Sequence, residues 1–342
     1  MNTDPASALQ AMSGRGYDPC LRKKRTQMTD FNEILIPEEE LVARIRDEKR
    51  KRNAVILAHN YQRPEVQDIG DFVGDSLGLA RQAARADAEV IVFCGVHFMA
   101  ETASILCPQK IVLLPDLHAG CPMADMADAR DVRRMKEQLR KAAVVSYVNT
   151  TAAVKAVSDY CCTSSNAVEV VQAIDAEEII FVPDRNLADF VGERVGDKVI
   201  FPWDGYCHVH QGIKAAHILE ALAEHPGAEV IAHPECTREV RELAHHVKST
   251  SGMVDAAIAS EAGEFVLATE MGMIHPLSKA VPHKRFYPPA SGPMCPNMKL
   301  ITLSKVLQSL ETMTPQVKVE EGIKVKALQA VERMLVPGGP LP

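Results

Sequence analysis

Three cysteines constrain this chain more than any other feature. Cys121, Cys207 and Cys295 each close a short Gly- or Pro-bearing segment, and each opens a helical pattern: Met123 to Ala142, Val209 to Ala223 and Asn297 to Leu310. Their spacings are 86 and 88 residues. Other elements recur at nearly the same interval. A first apolar strand is expected at Ala54–Ala58, Ala143–Val148 and Ala228–Ala232. A second is expected at Val90–Phe93, Ile179–Val182 and Phe265–Ala268, and a third at Ile111–Leu114, Val199–Phe201 and Arg285–Tyr287. After each first strand a Ser/Thr cluster is placed to cap a helix: Ser76, Ser164-Ser165 and Ser249-Thr250-Ser251. Short apolar strands alternating with helices give parallel sheets with right-handed crossovers. The chain is therefore expected to be α/β, with three pseudo-threefold-related α/β/α layers, each holding a small parallel sheet, around a central cavity. The expected boundaries are 31–125, 126–212 and 213–312, with a disordered N-terminal extension at 1–30 and a C-terminal helix and tail at 313–342.

In parallel sheets, ligands gather beyond the carboxyl ends of the strands. The residues there are His59-Asn60-Tyr61, Asn149-Thr150-Thr151 and His233-Pro234-Glu235. A threefold axis would turn all of them, and the three cysteines, toward one centre. Three thiolates can hold zinc or an iron–sulfur cluster. Zinc sites usually draw two ligands from one close pair, and no two of these cysteines are local. A cubane with one iron left open as a Lewis acid fits better, beside the plainer alternative of small buried thiols. A helix starting at each cysteine would favour its thiolate. The Ser/Thr clusters are either simple caps or anion sites, where N–H groups, helix dipole and hydroxyls together hold phosphate or carboxylate.

Composition narrows the partners. The 342 residues carry a net charge of −7, which gives no electrostatic case for nucleic acid or an anionic membrane. No apolar run approaches the ~18–20 residues of a membrane helix. Nine cysteines, an odd count in a chain large enough to build a core, suggest free or metal-bound thiols in a reducing, cytoplasmic setting. Met1 to Gly16 lacks the apolar core of a signal peptide, and Arg22-Lys23-Lys24-Arg25 is expected to be a solvated basic cluster.

Several segments then resemble the quinolinate synthase A family. They include Ala58-His59-Asn60-Tyr61-Gln62, Gly74-Asp75-Ser76-Leu77, the run Cys94 to Ala103, and Tyr147-Val148-Asn149-Thr150. Thr163-Ser164-Ser165, Trp203 to His210, His233-Pro234-Glu235, Ser249-Thr250-Ser251 and Cys295-Pro296-Asn297-Met298 follow in family order. The resemblance implies a triangular fold of three layers and a [4Fe–4S] cluster on Cys121, Cys207 and Cys295 with one open iron site. It implies condensation of iminoaspartate with dihydroxyacetone phosphate to quinolinate, phosphate and water, with an L-aspartate oxidase supplying the labile iminoaspartate. It implies substrate binding by His59, Ser76, Tyr147, Asn149, Ser164, His210, His233, Glu235, Ser249 and Thr250. Loss of phosphate, imine closure and dehydration need repeated proton transfer. Tyr61 and Glu235 are the candidates for it, with His59 and His233 as helpers and charge partners. One departure stands out. Some family members carry Cys-x-x-Cys-x-x-Cys ending at the third ligand, where this chain has Pro289 and Gly292, so a regulatory disulfide there is not expected.

The remaining residues take plainer readings. Cys94, Cys107, Cys161 and Cys162 are expected in or near the core, and Cys20 in the tail. Cys236 is expected near the cavity, and His245 and His246 on a surface helix. His275 is not placed with the site residues by the repeat. An aconitase-like hydro-lyase and a non-catalytic sugar- or anion-binding module are the competing readings. The dispersed cysteine spacing counts against the first.

Overall fold

Each block of the chain builds the same four-stranded parallel sheet in this computed structural model, which describes residues 36–335. The first sheet holds β1 (Ala54–His59), β2 (Phe72–Gly74), β3 (Val90–Cys94) and β4 (Ile111–Leu113), in the order β2-β1-β3-β4. The second holds β5 (Ala143–Tyr147), β6 (Tyr160–Cys162), β7 (Glu178–Val182) and β8 (Val199–Pro202), in the order β6-β5-β7-β8. The third holds β9 (Glu229–Ala232), β10 (His246–Val247), β11 (Glu264–Ala268) and β12 (Arg285–Tyr287), in the order β10-β9-β11-β12. The expected architecture of three α/β/α layers is therefore present. Helices cover both faces of the sheets, so central strands are continuous apolar runs, and every residue of β3 and β5 is buried.

The expected first, second and third strands all form, within about two residues of their expected ends. The edge strands β2, β6 and β10 were not expected. Each is three residues or fewer, and β2 is largely exposed, so none carries an apolar run.

Three local expectations need correction. No continuous helix follows any of the three cysteines. After Cys121 the chain makes a single turn at Ala124–Met126, and Asp128 then caps a separate helix, Ala129–Gln138. After Cys207 the helix His208–Gly212 breaks before Ala215–Glu224, and after Cys295 the turn Asn297–Lys299 breaks before Leu303–Thr312. The Ser/Thr residues also sit differently. Asp75 and Ser249 are the caps, accepting from Gly78 N and Gly252 N, while Ser76 and Thr250 are the first helical residues. In the middle layer Asn166 holds the cap position before Ala167–Ala173, with Ser164 in the preceding turn. Finally, His245 and His246 are not helical. The helix there ends at Glu242, His246 lies in β10, and His245 Nδ1 accepts the Val230 N–H at 2.9 Å.

The layers close head to tail. Each carries a helix after its second strand: His97–Leu106, Arg185–Val195 and Ile274–Ala280. Glu101, Asp189 and His275 occupy matching places on these helices. Glu101 Oε2 accepts the Ala152 N–H at 3.0 Å, and Asp189 pairs with Arg238 and Arg241. His275 Nε2 lies 2.7 Å from Asp68 Oδ1. Each layer thus grips the short helix of the next, and the third returns to the first. The helix Glu321–Leu335 straps the first two layers together. Its last carbonyls are satisfied by Asn166 Nδ2 at Met334 and Arg81 Nη2 at Leu335, at 2.9 and 3.0 Å. The expected extension at 1–30, with Cys20 and the basic cluster, lies outside the described residues.

Candidate active site

The carboxyl ends of the three sheets open onto one cavity. Matching positions from all three layers line it: His59, Tyr147 and His233; Tyr61, Asn149 and Glu235; Ser76, Ser164 and Thr250; and Cys121, Cys207 and Cys295. His210 lines it as well. Of the residues singled out for substrate or metal, Ser249 alone is outside this lining. Its hydroxyl is turned to its own helix as the cap.

The turns after β1 and β9 share one device. The Tyr61 N–H donates to His59 Nδ1 at 3.1 Å, and the Glu235 N–H donates to His233 Nδ1 at 3.2 Å. An Nδ1 that accepts leaves the ring proton on Nε2. Burial pushes both imidazoles down to about 3, with Lys299 adding to the effect at His59 and His210 and His59 adding to it at His233. Both rings are neutral near pH 7.

Glu235 is the centre of a buried network. Burial alone would raise its carboxyl, but His210 and His233 beside it and the hydroxyl bond from Tyr147 bring it down to about 2. The Tyr147 hydroxyl donates to Oε1 at 2.5 Å, and His210 Nδ1 lies 2.7 Å from Oε2. That second contact is poorly aligned, and His210 Nδ1 has no hydrogen-bond partner. On its other side, His210 Nε2 lies 3.0 Å from Thr269 Oγ1, which also bonds the Tyr61 hydroxyl at 2.6 Å. Burial, with Glu235 adding negative charge, raises both tyrosine phenols well above their ordinary value. Both are therefore proton donors at neutral pH. Asn149 Oδ1 is buried without a partner and lines the same cavity, an acceptor left for a ligand.

The donor set of the three cysteines fits a cationic thiolate-bound group. All three are free and half-buried at the cavity wall. Burial raises each thiol, Cys121 to about 12, and neighbouring negative groups raise them further: Glu235 at Cys121 and Cys207, Glu270 at Cys295. Backbone N–H groups just downstream oppose this, from Met123 and Ala124, from His210, and from Asn297 and Met298. A single turn suffices to aim them, so the long helices expected there are not needed. Three thiols lining one cavity beside buried carboxylates are costly as bare anions, and a bound cationic centre would relieve that cost. Among the described residues, Cys207, His210 and Glu235 also bring one ligand atom each within 4.8 Å of one another, so a single metal ion is a second possible occupant.

Other residues at the site had no clear signal in the sequence. Asp184 and Glu270 occupy matching positions after β7 and β11, and both are buried. Asp184 Oδ2 accepts the Cys207 N–H at 3.1 Å, and Glu270 Oε1 accepts the Cys295 N–H at 3.0 Å. The first layer has Val96 there. The one sequence signal of Asp184 and Glu270 is position: each stands two residues past the second strand of its layer. Gly205 is required by close approach, because a Cβ would strike the Pro183 carbonyl beside the Cys207 turn.

Fold and cavity together define a three-layer α/β protein built around one site of thiols, imidazoles and a buried carboxylate. The family model described as Quinolinate synthetase A protein matches residues 43–336. The chain is 55% identical over 296 residues to a quinolinate synthase of Methanosarcina barkeri, covering 86% of this chain and 97% of that one. It is 54% identical over 298 residues to one of Desulforudis audaxviator, covering 87% and 98%. It is 55% identical over 287 residues to one of Thermodesulfovibrio yellowstonii, covering 84% and 95%. The chain belongs to the quinolinate synthetase A family.

Proposed function

We propose that this chain is a quinolinate synthase of NAD biosynthesis, working in the cytoplasm. It condenses iminoaspartate, supplied by an L-aspartate oxidase, with dihydroxyacetone phosphate to give quinolinate, phosphate and two waters. The observation that carries this reading is the meeting of Cys121, Cys207 and Cys295 with Glu235 and Tyr61 in one cavity, in a chain spanning 97% of a relative's length. Among the described residues no helix is long and apolar enough to cross a membrane.

In this reading the three thiolates hold a [4Fe–4S] cluster, which supplies an open Lewis-acid iron beside the substrate. The neutral His59 and His233 donate through Nε2 to substrate oxygens. Ser76, Ser164 and Thr250 offer hydroxyls at or near helix starts, and Asn149 Oδ1 accepts. The Asn60 amide holds Thr250 Oγ1 at 2.9 Å, which leaves that hydroxyl's proton to point at a ligand. A carboxylate held near 2 is a weak base by itself. Glu235 therefore moves protons together with Tyr147 and His210, and Tyr61 delivers a proton from the Thr269 side of His210.

Anaerobic preparation tests this directly. Expected are about four irons and four sulfides per chain, and quinolinate formed only when both substrates are present. Metal without sulfide would favour the single-ion site on Cys207, His210 and Glu235. Loaded protein that forms no quinolinate from the two substrates would overturn the reading.

A further inference from the structure

Lys299 lies four residues after Cys295 and holds partners from two layers. Its Nζ donates to the Tyr61 carbonyl at 2.5 Å and sits 3.0 Å from Glu270 Oε1. The Glu270 side chain is 1% exposed and that of Lys299 15%, so the ion pair is largely removed from solvent. Glu270 Oε1 also accepts the Cys295 N–H at 3.0 Å, and Oε2 accepts the Gly272 N–H at 2.7 Å. An unbroken polar chain thus runs from the Cys295 backbone through Glu270 and Lys299 to the Tyr61 backbone. The space is closed around it. A Cβ on Gly272 would lie 2.7 Å from Glu270 Oε2, 2.8 Å from Lys299 Nζ and 3.0 Å from the Tyr61 carbonyl carbon.

The other end of Tyr61 is held by the same segment. Thr269, the residue before Glu270, bonds the Tyr61 hydroxyl at 2.6 Å. The middle and third layers carry a neutral, broken version of this arrangement. Asn186 Nδ2 donates to the Glu235 carbonyl at 3.1 Å and to Gln211 Oε1 at 3.0 Å, and Gln211 stands four residues after Cys207. There Asp184 takes the Cys207 N–H, and the clamp two residues on is the uncharged Asn186 amide in place of a lysine. Of the two turns compared, that of Tyr61 is tied to a cysteine by an ion pair, whose charge-assisted bonds are short and directional in a buried setting.

We propose that the Glu270–Lys299 pair is a positioning device that sets the Tyr61 turn according to what Cys295 holds. It rests on the reading that Cys295 ligates the cluster. Loading the cluster fixes the Cys295 peptide, Glu270 follows its N–H, and Lys299 carries that constraint to the Tyr61 carbonyl. The phenol is then presented to the cavity in one place.

The test is amide hydrogen exchange of residues 60–63, measured anaerobically on full-length protein with and without reconstituted iron and sulfide. In the wild type, loading should slow exchange in this segment. In K299M exchange should rise about tenfold and lose its response to loading, with iron content unchanged and kcat falling more than KM rises. E270Q should show the same uncoupling and lose iron to a chelator about tenfold faster. Should K299M fail to fold, K299Q makes the same comparison. Wild-type-like exchange with a normal response to loading, in either lysine variant, would overturn the proposal. A wild type that takes up no iron and sulfide overturns the cluster reading instead, and the unloaded K299M comparison still decides whether the tether exists.

Discussion

The turn after β1 and the turn after β9 begin alike and end differently. In both, an imidazole Nδ1 accepts the N–H of the residue two places on, which locks the ring and leaves it neutral. The locked residue is then Tyr61 in one layer and Glu235 in the other, a phenol held protonated and a carboxylate held ionised. The middle layer replaces the imidazole with Tyr147 and ends on Asn149, whose Oδ1 is unpartnered. The repeated part is the scaffold, and the chemistry sits at the positions the scaffold leaves free. The two unlike substrates of the proposed reaction would require this, since a symmetric cavity would present the same groups to both.

The cysteines are the one matching set in the cavity lining that keeps an identical residue in all three layers, and losing any of them has the largest expected effect. Changing Cys121, Cys207 or Cys295 to Ser should abolish retention of bound iron and quinolinate formation. Cys94→Ser or Cys236→Ser should spare both, because these buried thiols are outside the cavity lining. Iron and sulfide analysis on each variant decides it. Full iron in Cys207→Ser would break the assignment.

The two unlike turn residues come next. Glu235→Gln should fold and keep iron while turnover falls by about 10²–10⁴-fold, the usual weight of a general acid–base group. Tyr61→Phe should sit at the lower end, about 10²-fold, since Thr269 and His210 remain beside the vacant position. Near-normal turnover in Glu235→Gln with an intact cluster would move the proton-transfer role to Tyr147 or His210.

How much of this was visible in the sequence follows from what a repeat can encode. Strand cores such as Val90–Cys94 are apolar because both faces are covered, so periodicity finds them. The residues after the first strands point at the centre, so His59, Tyr61, His233 and Glu235 could be found by position. Edge strands such as His246–Val247 are too short to leave a pattern, which is why His245 and His246 were misplaced on a helix. In the third layer the cap lies within the expected cluster, at Ser249, whereas in the first layer it is Asp75 directly before Ser76, and adjacent polar residues look interchangeable until backbone angles are known. Charge states were hidden too. His59 and His233 lose their charge chiefly to burial among elements distant in sequence, which no local pattern records.

Those two histidines give a prediction in pH. Both have folded values near 3 against 6.5 for an ordinary imidazole. A lowered folded value means that the unfolded chain binds the proton first, so stability is complete above about 6.5 and falls as pH drops toward 3. Each should contribute about 1.4 kcal/mol per pH unit inside that window. Glu235, lowered from 4.5 to about 2, works in the same direction at lower pH: its contribution is present above 4.5 and lost toward 2. His59→Asn keeps an acceptor for the Tyr61 N–H and should remove one proton from the slope, as His233→Asn should for Glu235. Denaturant titrations between pH 4 and 7 would show it. An unchanged slope in both variants would mean that the rings are protonated in the folded protein.

The smallest effects separate the contacts that close the ring of layers. Asp189 and His275 occupy matching positions but hold their neighbours differently. Asp189 Oδ2 lies 2.5 Å from Arg241 Nη2, and the Arg241 side chain is only 4% exposed, so its charge depends on Asp189 and Glu193. Asp189→Asn removes one of these carboxylates and should cost about 1.5–3 kcal/mol, the weight of a hydrogen bond to a charged group. Asp68, by contrast, is 48% exposed and is also met by Lys279 at 2.7 Å, so the bond from His275 is solvated and duplicated. His275→Asn should cost less than about 1 kcal/mol. Neither residue lines the cavity, so kcat should hold in both. Urea midpoints at constant m would compare them. Equal losses would mean that the strength of each closure is set by its place in the repeat. The expected inequality would show that it is set by burial of the partner the residue meets, which is the same division between shared position and separate chemistry that the cavity displays.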